Sequence, residues 1–220
     1  MTNLTLILPA KYESESLPIF LKELKDYSYK KLIVLQKEDK ITKNSLKNFD
    51  EIEILEQINN GYGNALIEGI NATNTEYCCI INADGSMDPK YLPEMLEKCK
   101  EFDLIFASRY QKNSGSDDDN FITFCGNKIF TFLGNFFFSL GISDILYTYI
   151  IGKTKSFKEL SLNYADFRIC VELPIKAKKK KLLLGSIPSY ERKRIGGKKK
   201  VNAFKDGLLI LFAMISLYFK

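Results

Sequence analysis

The sequence predicts an α/β fold built on a mostly parallel central sheet, and two patterns indicate it. Short apolar runs typical of strands alternate with segments of helical spacing through the first half of the chain. Each strand-like run is nearly continuous in apolar residues, as in strands that are covered on both faces. In such sheets ligands bind beyond the carboxyl ends of the strands. We therefore expect the functional residues at that edge.

Five segments are predicted as strands and three intervening segments as helices. The strands are predicted at 3–9, 31–36, 52–57, 76–84 and 102–110. The helices are predicted at 15–27, 63–73 and 88–100, the last with Asp88 as N-cap and Pro89 at its first position. The strand ends place four residues along one edge of the sheet: Pro9, Gln36, Asp84 and Arg109.

The second half of the chain is patterned differently. Residues 113–120 form an acidic Gly/Ser-containing stretch without an apolar anchor, which predicts a mobile loop. The segment 121–146 is rich in aromatic residues and is broken by Gly126, Gly134 and Gly141. Residues 182–200 are predicted as a strand that leads into a basic loop.

The chain ends in an apolar run that predicts C-terminal amphipathic structure. Gly207 to Phe219 are thirteen residues without a charge, too few to span a bilayer. A buried core helix and a helix in the membrane interface both fit this run, and its terminal position favours the interface. We predict a main domain over 1–202, a membrane-interfacial helix over 203–220 and no spanning helix.

Composition narrows the classes of function. The 220 residues are 45% hydrophobic, enough for one domain with a sizeable core. Between 176 and 200 there are eleven Lys or Arg and one acid, Glu191. This block fits a solvated face or a platform for phosphates or anionic lipid, and we expect no nucleic-acid partner.

The His and Cys content limits the catalytic chemistry that is available and indicates the cellular compartment. The chain has no His, so imidazole serves neither as a base nor as a metal ligand. Its five Cys show no CxxC pairing and mostly lie in apolar runs, as reduced core residues of a cytoplasmic protein do. The N-terminal residues enter a strand pattern directly, so we expect no signal peptide.

A glycine pair after the third predicted strand resembles a dinucleotide motif but does not match it. Leu66 occupies the position of the third glycine in GxGxxG, and the motif should follow the first strand. Gly61 and Gly63 fit a tight turn equally well. They also fit a close approach of the chain to a bulky ligand, with a helix N-terminus facing phosphate.

Asp84 stands at the end of a buried strand, beside Gly85 and Ser86. It fits a structural cap for the following turn. It also fits a site for Mg²⁺ or Mn²⁺, since such hard cations commonly take one or two protein carboxylates and complete their shell with phosphate oxygen and water. On that view Asn82 need not bind the metal, and its amide is suited to a ribose hydroxyl.

Six segments together resemble the family 2 glycosyltransferases. They are LPAKYESESL (8–17), NNGYGNALIEGI (59–70), INADGSMDPKYLPEML (81–96), ASRY (107–110), ISDILYTYIIGKTKSF (142–157) and PSYERKRIGGKKKVNAFKDGLLIL (188–211). Their order is similar to that of the dolichol-phosphate mannose synthase and polyprenyl-phosphate glycosyltransferase branch, over about residues 3 to 212. The resemblance implies a GT-A fold, Mg²⁺ or Mn²⁺ as cofactor, and transfer of a sugar from a nucleotide donor with inversion.

The resemblance also implies roles for individual residues. The nucleotide-binding set is Pro9, Ala10, Tyr12, Glu13, Gln36, Glu38, Gly61, Tyr62, Gly63, Asn82, Ala83 and Asp84. The metal set is Asp84 and Ser86, and the catalytic set is Asp84, Arg109, Glu172 and Asp144. The acceptor-phosphate set is Arg109, Arg192, Arg194 and Lys198. The chain departs from the family pattern at Tyr12, where Asn is common, at Asn82, and in the second strand, where Gln36, Glu38 or Asp39 replaces paired aspartates.

The absence of His favours an acceptor that needs no base. A phosphate is already an anion at neutral pH, whereas a hydroxyl must lose a proton to become nucleophilic. We therefore expect a polyprenyl-phosphate acceptor and a peripheral position on the cytoplasmic face of the cell membrane, where the basic block meets anionic lipid. Glu172 or Asp144 as base for a glycan hydroxyl stays an alternative.

Two other classes of function stay open. A degenerate family member whose altered residues have removed donor binding would act as a scaffold or partner-binding protein. A nucleotidyltransferase is disfavoured, because the loop after the first strand (PAKYESES) is acidic and lacks the Gly-rich basic character expected there.

Overall fold

The computed structural model describes residues 3–196 and 202–219. Its strands are β1 (Leu4–Ala10), β2 (Lys30–Gln36), β3 (Glu53–Gln57), β4 (Tyr77–Ile80), β5 (Leu104–Ser108), β6 (Gly115–Ser116), β7 (Ile150–Lys153), β8 (Leu184–Pro188) and β9 (Tyr190–Glu191). Seven of them form one sheet in the order β3-β2-β1-β4-β7-β5-β8. Every neighbouring pair is parallel except the two that involve β7. The predicted mostly parallel α/β fold is confirmed.

The helices cover both faces of this sheet. They are α1 (Ser16–Glu23), α2 (Lys40–Ser45), α3 (Tyr62–Ala72), α4 (Leu92–Lys98), α5 (Phe121–Phe138), α6 (Thr154–Glu159), α7 (Ile169–Lys179) and α8 (Ala203–Phe219). Short 3₁₀ turns follow α1 and precede α4. Asp88 caps the second of these turns by accepting a hydrogen bond from the backbone N–H of Lys90, as predicted.

Two apolar cores explain why the strands read as continuous apolar runs. Successive side chains of a strand point to opposite faces. Ile7 of β1 lies in the core shared with α3, α7 and α8, whereas Leu6 and Leu8 lie in the core shared with α1 and α4. Burial on both faces removes the polar alternation of a half-exposed strand.

The reversed strand β7 decides what reaches the functional edge. It runs antiparallel to both β4 and β5, with Ile80 opposite Ile150. Residues that precede β7 therefore lie at the same edge as residues that follow β4 and β5. The segment 142–157 was recognised by its resemblance to the family and not as a strand, so this reversal was not predicted.

The acidic loop is held in place by contacts that the sequence did not suggest. β6 pairs with β9, and the backbone N–H of Asp117 donates to the carbonyl of Glu191. Tyr190 donates its hydroxyl to the Asp117 carboxylate at 2.7 Å. The prediction of a mobile loop was wrong, because a strand 75 positions away in the chain supplies the missing anchor.

The C-terminal helix α8 divides its two faces between core and surface. Ile210, Ala213, Met214 and Leu217 are buried in the core that also contains α7. The opposite face is exposed, as at Phe212. The helix therefore belongs to the same packed body as the sheet along one face and leaves the other uncovered.

One helix of the described residues, α5, is long and apolar enough to cross a membrane by length and composition. It packs against α8, with Phe130 beside Gly207 and the ring of Phe137 edge-on to Tyr218 at 5.7 Å.

Candidate active site

A cleft of about 670 Å³ opens at the carboxyl edge of the sheet. It brings together most of the residues singled out in the sequence. Those that line it are Pro9, Ala10, Tyr12, Glu13, Gln36, Gly61, Tyr62, Asn82, Ala83, Asp84, Ser86, Arg109 and Arg194. Glu38, Gly63, Asp144, Glu172 and Arg192 do not line it, and Lys198 lies outside the described residues.

Asp84 follows β4 and is almost fully buried at the floor of the cleft. Its Oδ1 accepts hydrogen bonds from the backbone N–H of Ser86 at 3.1 Å and from the Ser86 hydroxyl at 2.9 Å. Its Oδ2 lies 3.5 Å from the guanidinium of Arg194. Gly85, at φ +75°, allows the tight turn that folds Ser86 back onto this carboxylate. The structural-cap and ligand-binding interpretations are therefore compatible, because each concerns a different oxygen.

The side-chain oxygen of Asn82 takes part in a network of hydroxyl groups. Its Oδ1 accepts a hydrogen bond from the Tyr62 hydroxyl at 3.2 Å, and Tyr62 also contacts the Thr148 hydroxyl at 2.6 Å. The Tyr62 ring stacks on Phe167 with centroids 4.9 Å apart. Burial raises the pKa of Tyr62 far above 10, so this phenol stays a hydrogen-bond donor. The network fixes the amide beside the carboxylate that follows it.

The glycines before α3 serve the packing of the chain on itself. A Cβ at Gly61 would lie 2.2 Å from the carbonyl oxygen of Ala165, and one at Gly63 would lie 2.0 Å from that of Tyr164. The backbone N–H groups of Gly63 and Asn64 donate to the Ala165 carbonyl. Protein carbonyls thus accept hydrogen bonds from the first turn of α3, which favours the tight-turn interpretation of these glycines, while Gly61 and Tyr62 also line the cleft.

The loop after β1 is tied to the segment after β2. Tyr12 is exposed at φ 54°, a left-handed conformation in which Asn is more common, and its backbone N–H donates to Asp39 at 2.6 Å. The Glu13 N–H donates to the Thr42 hydroxyl at 3.0 Å. Glu38 is exposed and does not line the cleft, whereas Gln36, at the end of β2, does.

Arg109 is clamped by carboxylates at the far end of the cleft. Its guanidinium makes a bidentate pair with Asp144 (2.7 and 3.1 Å) and donates to Glu191 at 3.2 Å. Asp119 lies 3.6 Å away. Burial would lower the pKa of Arg109, but these carboxylates outweigh it and hold the pKa well above its usual value. The cation is largely neutralised by the protein itself.

These contacts change the roles expected for the two predicted acids. Asp144 is fully buried and positions Arg109, so it is not placed to take a proton from an acceptor. Glu172 accepts hydrogen bonds from the backbone N–H groups of Asn163 and Tyr164 and pairs with Lys176 at 2.7 Å. It holds the loop before α7 and lies away from the cleft.

The two arginines of the basic segment separate in the fold. Arg192 pairs with Glu23 at 2.7 Å and donates to the Gly85 carbonyl at 2.8 Å. It fastens the segment to the back of the Asp84 turn. Arg194 instead enters the cleft, between Asp84 and Asp118.

The charged side chains that line the cleft show whether it could hold a metal ion. Among the residues that the structure describes, six acids line it, Glu13, Asp84, Asp118, Asp166, Glu191 and Asp206, against three bases, Lys11, Arg109 and Arg194. Within residues 3–196 and 202–219 no group of three or more acidic or Cys side chains is arranged to hold a metal. One carboxylate, Asp84, with the Ser86 hydroxyl beside it, fits a hard cation that takes its remaining ligands from a diphosphate and water. Such a cation would also offset the negative lining when an anionic nucleotide enters.

Several lining residues were not among the predicted site residues. They are Lys11, Gln57, Ala65, Met87, Asp118, Leu146, Tyr147, Thr148, Asp166, Phe167, Cys170, Glu191 and Asp206. Most lie on segments that reach the edge through the β7 reversal or through loops that fold back over the sheet. Tyr147 and Thr148 lie in segment 142–157, whose resemblance to the family could have identified them as candidate site residues.

Solved structures share this fold. Glucosyl-3-phosphoglycerate synthase from Mycobacterium tuberculosis, in complex with Mn²⁺, uridine diphosphate and phosphoglyceric acid, superposes with a TM-score of 0.71 at 12% identity, over 98% of this chain and 78% of that one. The same enzyme with Mn²⁺, UDP-glucose and phosphoglyceric acid gives 0.68 at 11% identity, over 98% and 79%. A further mycobacterial protein gives 0.73 at 11% identity, over 97% and 74%. At these identities the likeness shows the fold.

The family itself is shown by sequence. The profile of glycosyl transferase family 2 matches residues 5–161, well over half of the chain. This range contains all of β1 but its first residue, the strands β2 to β5, the Asp84 turn, Arg109 and the reversed strand β7. The matched range builds most of the mixed, mostly parallel sheet and places Asp84 at its carboxyl edge, where the cleft opens. The chain belongs to glycosyl transferase family 2, the enzymes that transfer a sugar from a nucleotide-sugar donor.

Proposed function

We propose that this glycosyltransferase transfers its sugar to a polyprenyl phosphate while bound to the cytoplasmic face of a membrane. The observation that carries the proposal is that both apolar helices begin at the cleft. Asp118, which lines the cleft, stands three residues before α5, and Asp206, which also lines it, lies in the first turn of α8. A lipid that rests on these helices has its head group at the cleft mouth.

The two helices expose apolar side chains that a small folded protein does not need. Phe121 and Ile122 at the start of α5 are 81% and 72% exposed, and Phe204 at the start of α8 is 79% exposed. The exposed positions continue along α8 at helical spacing, at Leu208, Phe212, Ile215 and Phe219. Apolar patches of this kind mark surfaces that bind protein or membrane.

Basic charge adjoins this apolar surface. The end of α7 carries Lys176, Lys178 and Lys179, and the ammonium of Lys179 donates to the Leu217 carbonyl of α8 at 2.6 Å. Apolar insertion together with attraction to anionic headgroups supplies the two contributions that reversible membrane attachment requires. These contacts support an anionic bilayer as the occupant of the surface.

The chemistry of the cleft is consistent with a phosphate acceptor. Inversion needs a nucleophile that attacks the sugar from the side opposite the leaving diphosphate, and an acceptor phosphate is already ionised. Mg²⁺ or Mn²⁺ held by Asp84 would supply positive charge to the leaving diphosphate. Gln36, Ala10 and Asn82 line the same cleft, and in this proposal they bind the nucleotide portion.

Mass spectrometry after incubation with Mn²⁺ and pooled nucleotide sugars tests the acceptor. One sample contains polyprenyl phosphate, a second the matching polyprenol without phosphate, and a third 3-phosphoglycerate, whose parent acid is named in the similar structures. We expect a glycosylated lipid only in the first. Product only in the second or third would contradict the proposal. A non-catalytic scaffold would give none, and no nucleoside diphosphate would raise its Tm.

One observation favours transfer to a hydroxyl as the second candidate. Glu191 lines the cleft, and burial raises its pKa even though Arg109 and Ser116 lower it. A raised pKa makes a carboxylate a better proton acceptor at neutral pH. In this case Glu191→Gln would abolish transfer to the hydroxyl acceptor, whereas transfer to a phosphate would persist.

A further inference from the structure

The hydroxyl of Tyr147 is a buried polar group that the site described so far does not use. Tyr147 is 3% exposed and lines the cleft. Among residues 3–196 and 202–219 its hydroxyl has no hydrogen-bond partner. Its neighbour in the fold, Tyr149, is equally buried but donates its hydroxyl to the Asp88 carbonyl at 3.0 Å. Buried polar groups are nearly always paired, so an orphan in a ligand cleft indicates a partner that arrives with the ligand.

The order of strands places Tyr147 between Asp84 and Arg109 along the carboxyl edge of the sheet. Across the sheet, the residues at this edge follow one another in the order Gln36 at the end of β2, Ala10 at the end of β1, Asp84 after β4, Tyr147 before β7 and Arg109 after β5. A nucleotide sugar is laid out in the matching order of base and ribose, diphosphate, and sugar. With the diphosphate at Asp84, the sugar bonded to the diphosphate lies beside Tyr147, the next residue along the edge.

The surroundings keep the phenol in one orientation and in its protonated form. The guanidinium of Arg109 lies over the Tyr147 ring, 4.6 Å from its centroid, and Tyr149 packs edge-on at 6.2 Å. Burial raises the pKa of Tyr147 well above 10, and Glu191 raises it further, although Arg109 lowers it. The hydroxyl therefore acts as a donor and suits an acceptor oxygen.

We infer that Tyr147 donates a hydrogen bond to a hydroxyl oxygen of the transferred sugar. In this arrangement the carboxylates around Arg109 fix the position of its guanidinium, and the guanidinium packs against the Tyr147 ring and holds it in place. Because protein atoms enclose the hydroxyl in this structure, the cleft lining must yield slightly as the sugar enters. The inference rests on the nucleotide-sugar donor and not on the acceptor proposed above.

Tyr147→Phe tests this role, with Tyr149→Phe as the matched control. Binding with Mn²⁺ is measured by titration calorimetry for UDP-glucose and UDP, and for GDP-mannose and GDP, and Tm is measured without ligand. We expect Tyr147→Phe to bind the preferred nucleotide sugar roughly threefold to tenfold more weakly, the size of one neutral hydrogen bond. Its affinity for the matching nucleoside diphosphate should be unchanged, and its Tm equal or higher because an unpaired buried hydroxyl is removed.

Tyr149→Phe should show the reverse pattern, a lower Tm with unchanged binding, since it strands the Asp88 carbonyl outside the cleft. Equal weakening of nucleotide sugar and nucleoside diphosphate by Tyr147→Phe would overturn the assignment to the sugar. Unchanged binding of both would overturn any ligand contact by Tyr147. If the wild-type protein binds neither nucleotide sugar and neither nucleoside diphosphate, the assignment of a nucleotide-sugar donor to this cleft is contradicted, and so is the inference about Tyr147.

Discussion

At the scale of single residues, the carboxylate of Asp84 has one oxygen bound by the protein and one that faces the cleft, where we propose that it holds the metal of the donor. Oδ1 is held by Ser86, and Oδ2 faces Arg194 and the cleft. Asn82 is held by Tyr62, so the amide that replaces a second carboxylate has a structural partner of its own.

Asp84→Asn should weaken metal-dependent nucleotide binding and leave the fold intact. The amide keeps an oxygen for the Ser86 N–H but loses the charge that a divalent cation requires. A charged contact contributes about 1.5–3 kcal/mol, so we expect at least about tenfold weaker Mn²⁺-dependent binding of nucleoside diphosphate by calorimetry.

Asp88→Asn is the control for that change, because it removes a charge four residues away, keeps a capping oxygen and lies outside the cleft. Asn82→Asp should fold and bind the metal at least as well. Unchanged Mn²⁺-dependent binding in Asp84→Asn would contradict the metal assignment.

Arg109→Met should destabilise the fold before it affects any chemistry. It leaves Asp144, whose side chain is fully buried, and Glu191 without their cation. Breaking a buried ion pair on one side costs about 3–5 kcal/mol. Urea denaturation measures the loss, and Arg109→Met combined with Asp144→Leu should recover part of it. A loss below about 1 kcal/mol would show that the cluster adds little to stability.

At the scale of elements, the approach of the 164–166 segment to the first turn of α3 builds one wall of the cleft. Gly63→Ala would place a Cβ 2.0 Å from the Tyr164 carbonyl, and overpacking of this kind costs about 1–3 kcal/mol. We expect a lower Tm and weaker nucleotide binding, since Asp166 and Phe167 line the cleft. Gly126→Ala within α5 is the control; it meets open space and should raise stability by up to about 1 kcal/mol. Equal Tm in the two variants would contradict the packing argument.

Asp103 joins the edge strand β8 to β7 and gives the sheet an acid-sensitive contact. Burial would raise its pKa, but the Leu183 N–H and the Lys153 ammonium outweigh this and hold the pKa of Asp103 below its ordinary 3.8. A lowered folded-state pKa adds stability above the unfolded value, and this stability is lost as pH falls through the folded value.

Asp103→Asn should therefore lower the free energy of unfolding at pH 7 by about 1 kcal/mol. The difference from wild type should shrink below pH 3.8. Urea denaturation between pH 7 and pH 3 measures both. A difference that stays constant over this range would show that the charge of Asp103 is not involved.

At the scale of the whole molecule, α5 and α8 begin at the cleft and leave apolar side chains exposed along their lengths. The faces that these helices turn inward are core, as at Thr131 and Gly134 of α5 and Met214 of α8. The side chains that remain available for a membrane are therefore a defined stripe.

The triple change Leu208→Ser, Phe212→Ser and Ile215→Ser should reduce sedimentation with anionic liposomes without loss of fold. All three side chains are exposed, so their replacement removes apolar contact with lipid and little core packing. Binding of the wild type should rise with anionic lipid and fall with salt. Ile41→Ser with Ile58→Ser, two exposed positions on other elements, is the control. A wild-type protein that stays in the supernatant at low salt would remove the main support for the lipid acceptor.

The sequence by itself determined the α/β class, five of the strands and much of the cleft. Strands buried on both faces have a recognisable composition, and the carboxyl ends of parallel strands converge by geometry alone. That is why Pro9, Gln36, Asp84 and Arg109 could be placed together from their positions in the chain, and why all four line the cleft.

The tertiary structure alone decided which of these residues are free to act. Arg109 is neutralised by Asp144 and Glu191, which lie 35 and 82 positions away in the chain. Gly63 meets the Tyr164 carbonyl, about a hundred positions on, and Tyr147 reaches the cleft only because β7 runs antiparallel. Local patterns specify strands, helices and their ends, because those depend on neighbours in sequence. Pairing, neutralisation and the orphaned hydroxyl depend on side chains that meet only after the sheet has formed.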